Sequence, residues 1–304
     1  MEAAGSTTRS NDSGPTGARA PAVTNGPRMR QLALARALGI PVSKELSVAD
    51  GVVISLVLIP SGVFEAGQGD EEVSPVPDGK VLMPRISIAG APREGDRVVI
   101  KKPFWISRKE ITQAQFKAVM NANPSFYLGD TLLPVHCVSF RQAREFSRKV
   151  GRITKTTARL PTEGEWEYAC RAGSTAAYST GKTLSRKHAR YARGRKITTE
   201  DMRRGPLAAG SLLPNAWGVY DMHGNVSEWC VPWNVTETSA SSRPRTVQDP
   251  QAMAGAKVGA LRGGAWCDVA ERCHAAFSRQ AILIEGVPKH FRCGIRLVVD
   301  LPSP

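Results

Sequence analysis

The sequence predicts a mixed α/β, loop-rich fold, and three observations predict it. Three segments carry the spacing of a helix capping box, each leading into an amphipathic run. A largely apolar stretch, VVISLVLIP from Val52 to Pro60, broken only by Ser55, has the length and β-branched content of a buried strand. Beyond Gly173 the chain breaks into short apolar pieces separated by glycine and proline, with little helical periodicity.

Residues 1–28 are rich in Ser, Thr, Gly, Pro and Ala and lack apolar periodicity, so they are expected to stay disordered. MRQLALARALGI, from Met29 to Ile40, is a candidate short helix. Residues 1–50 are therefore expected to be a disordered or linker segment, and residues 51–301 the folded domain. The first capping box pairs Thr112 with Gln115, and Ile111 and Phe116 stand where a hydrophobic staple clamps a helix start. Its helix puts Phe116, Val119 and Met120 on one face. The second box, Ser139 with Gln142, heads a helix whose apolar face is Ala143, Phe146 and Val150. The third, Thr162 with Glu165, places Trp166 and Cys170 together, although Gly164 costs that helix about 1 kcal/mol. These helices are scaffolding. In a fold poor in regular structure, Trp166, Trp217, Trp229 and Trp266 are expected to supply buried area.

The 304 residues suffice for one large domain or two small ones, and 41% hydrophobic content is that of a soluble globular protein. No apolar run approaches the roughly 20 residues that span a bilayer. No signal peptide is recognisable, so a cytoplasmic location is expected. Six cysteines in a chain of this length read as reduced, buried thiols rather than a disulfide scaffold. The net charge is +14, and half of it lies between Lys182 and Arg204, where nine basic side chains meet two acidic ones. Such a stretch attracts anionic partners. It lacks the interleaved aromatics and motifs of a nucleic-acid interface, so a solvated basic loop is the expected form.

NAWGVYDMHGNVSEW, from Asn215 to Trp229, concentrates turn formers, oxygen ligands and two tryptophans. Asp221, Gly224 and Glu228 fall at i, i+3 and i+7. Two carboxylates with backbone carbonyls between them suit calcium, which takes six to eight oxygens. On spacing alone a tight turn at His223-Gly224-Asn225 is the favoured alternative.

Two further stretches follow a consistent order around it: RLPTEGEWEYACRAG (Arg159 to Gly173), and LRGGAWCDVAERCHAAFSR (Leu261 to Arg279) with GIRLVV from Gly294. Together with LVLIPSGVFEAG (Leu56 to Gly67) and KPFWISRKEITQAQFKAVMNANPSF (Lys102 to Phe126), they resemble the sulfatase-modifying-factor family, whose namesake is the formylglycine-generating enzyme. The resemblance implies an irregular α+β formylglycine-generating-enzyme fold, a variant of the C-type lectin theme. It implies a structural calcium held by the side chains of Asp221 and Glu228 and the carbonyls of Gly224 and Val226. A second family calcium site has Arg193 where an asparagine ligand belongs, and a guanidinium has no acceptor to offer. The basic cluster of Arg193, Arg195 and Lys196 is expected to pair with nearby carboxylates instead.

The namesake oxidises a substrate cysteine with oxygen, using copper(I) held by two thiolates, the soft ligands that copper(I) prefers. On the resemblance, the first ligand's position holds Asp268, whereas the second, Cys273, is kept. Cys267 stands one residue away, which in an extended strand points it to the opposite face unless a bulge intervenes. Ala265 replaces an active-site serine, Val269 a histidine, and Ser227 the tryptophan lining the substrate groove. The five histidines show no metalloenzyme spacing. The expected function is thus a family fold that keeps one calcium but not copper catalysis, with Asp268, Cys273 and Ser227 on the floor of a peptide- or partner-binding groove and Trp266 behind. The alternative is an active oxidase that acts on a sulfatase cysteine through Cys267 and Cys273. A third reading is an anion- or nucleic-acid-binding protein that uses Lys182–Arg204. Cys273 is the candidate reactive thiol, its pKa expected to be lowered by Arg272.

Overall fold

The computed structural model describes residues 26–67, 95–194, 196–233, 245–246, 258–282 and 291–302. Helix α1 (Pro27–Leu38) opens it, followed by strands β1 (Ser43–Ala49), β2 (Val52–Ile59), β3 (Gly62–Glu65), β4 (Arg97–Ile100) and β5 (Phe104–Ser107). Helices α2 (Gln113–Met120) and α3 (Phe140–Thr154), strand β6 (Ala158–Arg159), and helices α4 (Glu163–Arg171) and α5 (Thr199–Arg203) come next. The remaining strands are β7 (Ser227–Cys230), β8 (Arg245–Thr246), β9 (Val258–Arg262), β10 (Ser278–Ile282), β11 (Cys293–Gly294) and β12 (Val298–Asp300). A 3-10 turn at Ala270–Cys273 lies between β9 and β10.

A five-stranded sheet has the order β1-β2-β5-β12-β6, a four-stranded one β10-β9-β7-β11, and a three-stranded one β3-β4-β8. The centre of the first sheet, strands β2, β5 and β12, is buried on both faces, which is why the second half of β2, Leu56 to Ile59, is continuously apolar. Leu56, Leu58, Trp105 and Val299 pack on one side with Phe116, Phe146 and Val150 of α2 and α3. Their alternates Val57, Ile59, Phe104, Ile106 and Val298 pack on the other with Trp166 and Trp217.

All three expected capping boxes form, with Thr112, Ser139 and Thr162 accepting from the backbone N–H of Gln115, Gln142 and Glu165. The staple residues Ile111 and Phe116 are both buried. A fourth box, Thr198 with Asp201, starts α5. The sequence reading missed it because the acidic partner is the shorter Asp.

The domain start needs correction. Strand β1 lies ahead of Val52, inside the expected linker, and pairs antiparallel with β2 from Ser43↔Val57 to Ala49↔Val52. Leu46 and Val48 face inward while their neighbours face solvent, an alternation too brief to stand out in the sequence. Helix α1 also docks: buried Gln31 donates to Leu58 O at 2.7 Å and Trp217 O at 3.2 Å. Residues 1–25, expected to be disordered, lie outside the described residues. Among the described residues all six cysteines are free, and no helix is long and apolar enough to cross a membrane.

Candidate functional site

The segment Asp221–Val226 is a turn forced into left-handed backbone, with φ of +58° at Asp221, +90° at Gly224 and +63° at Asn225. Gly224 is required there, because a Cβ would lie 2.0 Å from Arg190 O. The turn is stitched at both ends. Gly224 N donates to Gly263 O at 2.6 Å, and Asn225 N to Arg190 O at 2.8 Å. Behind it lie three carboxylates near enough for Glu110 to feel the charges of Asp221 and Glu228. Glu110 accepts from Asn225 Nδ2 at 2.5 Å and Val226 N at 2.9 Å. Glu228 accepts from Arg296 at 2.6 and 2.7 Å and from Trp166 Nε1 at 2.5 Å. Asp221 Oδ2 accepts from Gly210 N at 2.6 Å, whereas its Oδ1 is buried without a hydrogen-bond partner.

Burial pushes the Asp221 carboxyl up to about 6, and the Glu228 charge adds to the effect. Glu110 is driven well above the carboxylate range by burial, then by the charges of Asp221 and Glu228. Three acids against the single buried guanidinium Arg296 leave two negative charges when all are ionised. A divalent cation would neutralise them, and the orphaned Asp221 Oδ1 is the oxygen that lacks a partner. The oxygens left over are of the type calcium takes: Asp221 Oδ1 has no partner, and Glu228 Oε1 accepts only from Arg296, so it retains a lone pair. Backbone carbonyls would have to complete it, because no group of three or more His, Cys, Asp or Glu among the described residues is disposed to hold a metal.

A second ionic network lies beside the first. Arg262, at the end of β9, reaches Glu167 at 2.6 Å and Glu163 at 3.6 Å, and Glu167 also holds Arg171 at 2.8 Å. All four side chains are buried. Glu163 and Glu167 of the RLPTEGEWEYACRAG stretch thus tie α4 to the second sheet through Arg262, whereas Arg159 and Glu165 tie it to Asp300 of the first.

The copper position is built differently from the strand expected there. Strand β9 ends at Arg262, and the chain then turns, with Asp268 N donating to Ala265 O at 2.9 Å, before the 3-10 turn. Strand alternation therefore does not govern the direction of Cys267. Asp268 is fully buried: Oδ2 accepts from Ala265 N at 3.0 Å, and Oδ1 faces Arg292 at 2.6 Å, Arg272 at 3.4 Å and Arg279 at 3.7 Å. Cys267 Sγ accepts from Arg292 at 3.6 Å. The Cys273 thiol donates to Val269 O at 3.6 Å and lies so close to Gly264 that a Cβ there would stand 2.7 Å from the sulfur.

Where a copper(I) site would need a second soft thiolate, this donor set has a hard carboxylate engaged by three arginines. Burial pushes the Cys267 thiol up, and it drives the Cys273 thiol well above the ordinary range, where the Asp268 charge adds to it. Arg272 opposes that shift only weakly, so the expected lowering of the Cys273 pKa is corrected. The groove expectation also changes in detail. Ser227, Ala265, Trp266, Cys267, Asp268 and Cys273 are buried, and Val269 alone of these residues is half-exposed. What lies over them is the arginine trio together with Tyr127 and Phe291, which pack on Trp266.

The basic stretch is mostly exposed, but Arg190 is buried and holds the carbonyls of Arg204 and Gly205. Neither Arg193 nor Lys196 forms an ion pair among the described residues, and Arg193 meets Asp201 only through its backbone N–H at 3.1 Å. The expected charge replacement is therefore not formed by these two, and Arg195 lies outside the described residues. Sequence reasoning missed Glu110 and the arginines 279, 292 and 296. Arg296 sat in the GIRLVV stretch, where a lone arginine inside an apolar run signals a buried partner.

Comparison with known proteins bears on these observations. Residues 49–301 match the model of the sulfatase-modifying factor enzyme 1-like domain. The chain is 30% identical over 189 residues to a formylglycine-generating enzyme of Thermomonospora curvata, covering 60% of this chain and 57% of that protein. It is 25% identical over 289 residues to the formylglycine-generating enzyme of Mus musculus, covering 76% and 68%. The chain thus spans little more than half to two-thirds of these relatives. In structure it resembles Treponema denticola variable protein 1, with a TM-score of 0.66 and 21% identity, over 86% of this chain and all of that one. Motif order, the α+β loop-rich fold and the family match converge: the chain belongs to the sulfatase-modifying factor enzyme 1-like domain family.

Proposed function

We propose that this chain uses the family fold for binding, with one structural calcium and without copper-dependent formylglycine generation. The observation that carries this reading is Asp268. Where the resemblance requires a soft thiolate, a fully buried hard carboxylate is committed to three guanidinium groups and a backbone amide. Burial pushes both remaining thiols, Cys267 and Cys273, up and away from the thiolate form, which supports this reading over the oxidase alternative. The surface over Asp268 would take a peptide or protein partner, and a sulfatase is the class of partner that the family suggests.

Calcium would be held by Asp221 and Glu228 with the carbonyls of Gly224 and Val226. Its chemistry there would be charge neutralisation, locking a turn whose left-handed backbone is otherwise held by hydrogen bonds alone. Thermal unfolding with added calcium, magnesium or chelator tests the metal: calcium should raise Tm for the native protein and leave Asp221→Asn unchanged. The catalytic half is tested by mixing the copper(I)-loaded protein with a Cys-x-Pro-x-Arg peptide under oxygen. Thiol-to-aldehyde conversion by mass spectrometry would overturn the reading.

A further inference from the structure

We propose that Arg272, Arg279 and Arg292 form an oxyanion-binding site that recognises the acidic side chains of a peptide. The inference rests on the reading that the surface over Asp268 serves binding. The three arginines come from separate segments (the 3-10 turn, β10, and the approach to β11) and converge on one oxygen, Asp268 Oδ1. Their side chains are 20–22% exposed, enough to present outward N–H groups while the rest is desolvated. Among the described residues no second acid pairs with any of them. One carboxylate against three guanidinium groups leaves an excess of two positive charges, and arginine cannot shed its proton to relieve it. The crowding is felt: burial weakens the hold of Arg279 on its proton against the pull of Asp268, and Arg292 and Arg272 push the same way. A guanidinium offers five donors in a planar fork, so these groups suit a bidentate carboxylate or phosphate.

The neighbourhood favours a peptide over a free ion. Arg292 lies over the Phe291 ring at 5.5 Å, Phe291 packs on Trp266, Trp266 on Tyr127, and Tyr127 on Phe126. Phe126 is 71% exposed and Leu128 66%, so an apolar edge runs on from the charged one. A ligand bearing a carboxylate beside apolar side chains would match both.

The test is fluorescence anisotropy with the full chain and short labelled peptides that alternate Leu with Glu, Gln or Arg, over a salt series. Inorganic phosphate and a single-stranded oligonucleotide serve as competitors. The Glu peptide should bind, weaken as salt rises, and lose about tenfold or more in affinity in Arg272→Gln/Arg279→Gln. Lys187→Gln, in the exposed basic stretch, should leave binding unchanged. Equal binding of Glu and Gln peptides would overturn the anion site yet leave peptide binding in place. Loss of binding in Lys187→Gln would also overturn it, as would an oligonucleotide that displaces the peptide without needing the arginines. Phosphate binding with neither peptide bound would overturn the peptide assignment. Aldehyde formation on the sulfatase-type peptide would defeat the reading underneath, and is scored separately.

Discussion

Asp268→Asn removes one charge and almost no volume at the position where the resemblance puts a copper ligand in the family's namesake. The native carboxylate accepts from Ala265 N through Oδ2 and from Arg292 and Arg272 through Oδ1, with Arg279 in ion-pair range at 3.7 Å. An asparagine can serve one of these sets with its oxygen but must turn an NH2 group towards the other. Removing one partner of a buried ion pair costs about 3–5 kcal/mol. The arginines are 20–22% exposed, so water screens part of the loss and the lower end applies. About 3 kcal/mol is roughly two decades in the folding equilibrium. For a domain of this size it lowers Tm by about 6–12 °C. Urea unfolding of the native and variant proteins at equal pH measures it, with Arg272→Gln as a control that gives up only the 3.4 Å contact. A variant within about 0.5 kcal/mol of the native protein would refute the reasoning, because that is the range of an exposed substitution. Asp268 would then not be the anchor of the turn.

Glu228→Gln should cost about 3–5 kcal/mol by leaving Arg296 buried without its 2.6 Å partner, and pairing it with Arg296→Met should recover much of the loss in chemical unfolding. Ser139→Ala should cost about 1 kcal/mol, since the serine hydroxyl caps α3 by accepting from Gln142 N at 3.2 Å. Burial holds His223 down to about 4 and keeps His136 below the ordinary histidine value. Both are therefore neutral in the fold, and their contribution is intact above the unfolded histidine value of about 6.5 and lost as pH falls through the folded values. His136→Gln, whose amide oxygen can still accept from Phe126 N and Tyr127 N, should flatten the pH dependence of stability between those values. Identical slopes for variant and native protein would count against it.

What the sequence determined by itself is local or periodic. Thr112, Ser139 and Thr162 announce helix starts because a capping box is complete within four residues. Val52–Ile59 announces a strand because seven of its eight residues are apolar and most are β-branched. The ordered motifs carried the family and with it the fold. Gly224 was legible as a turn residue, though its reason, the approach of Arg190 O, comes from a different loop.

What only the tertiary structure decided is long-range. Glu228 and Arg296 are 68 residues apart in sequence, and Glu110 and Val226 116 apart, so no window of sequence contains either pair. The identity of Asp268 was readable as a lost thiolate. Its role as the hub of three arginines was not, because Arg279 and Arg292 reach it from outside the turn. The same holds for Cys273: its neighbour Arg272 suggested an activated thiol, yet burial among Gly264, Val269 and the Asp268 charge raises its pKa instead. Charge and periodicity are properties of residues, whereas burial belongs to the folded packing, and here burial sets the chemistry.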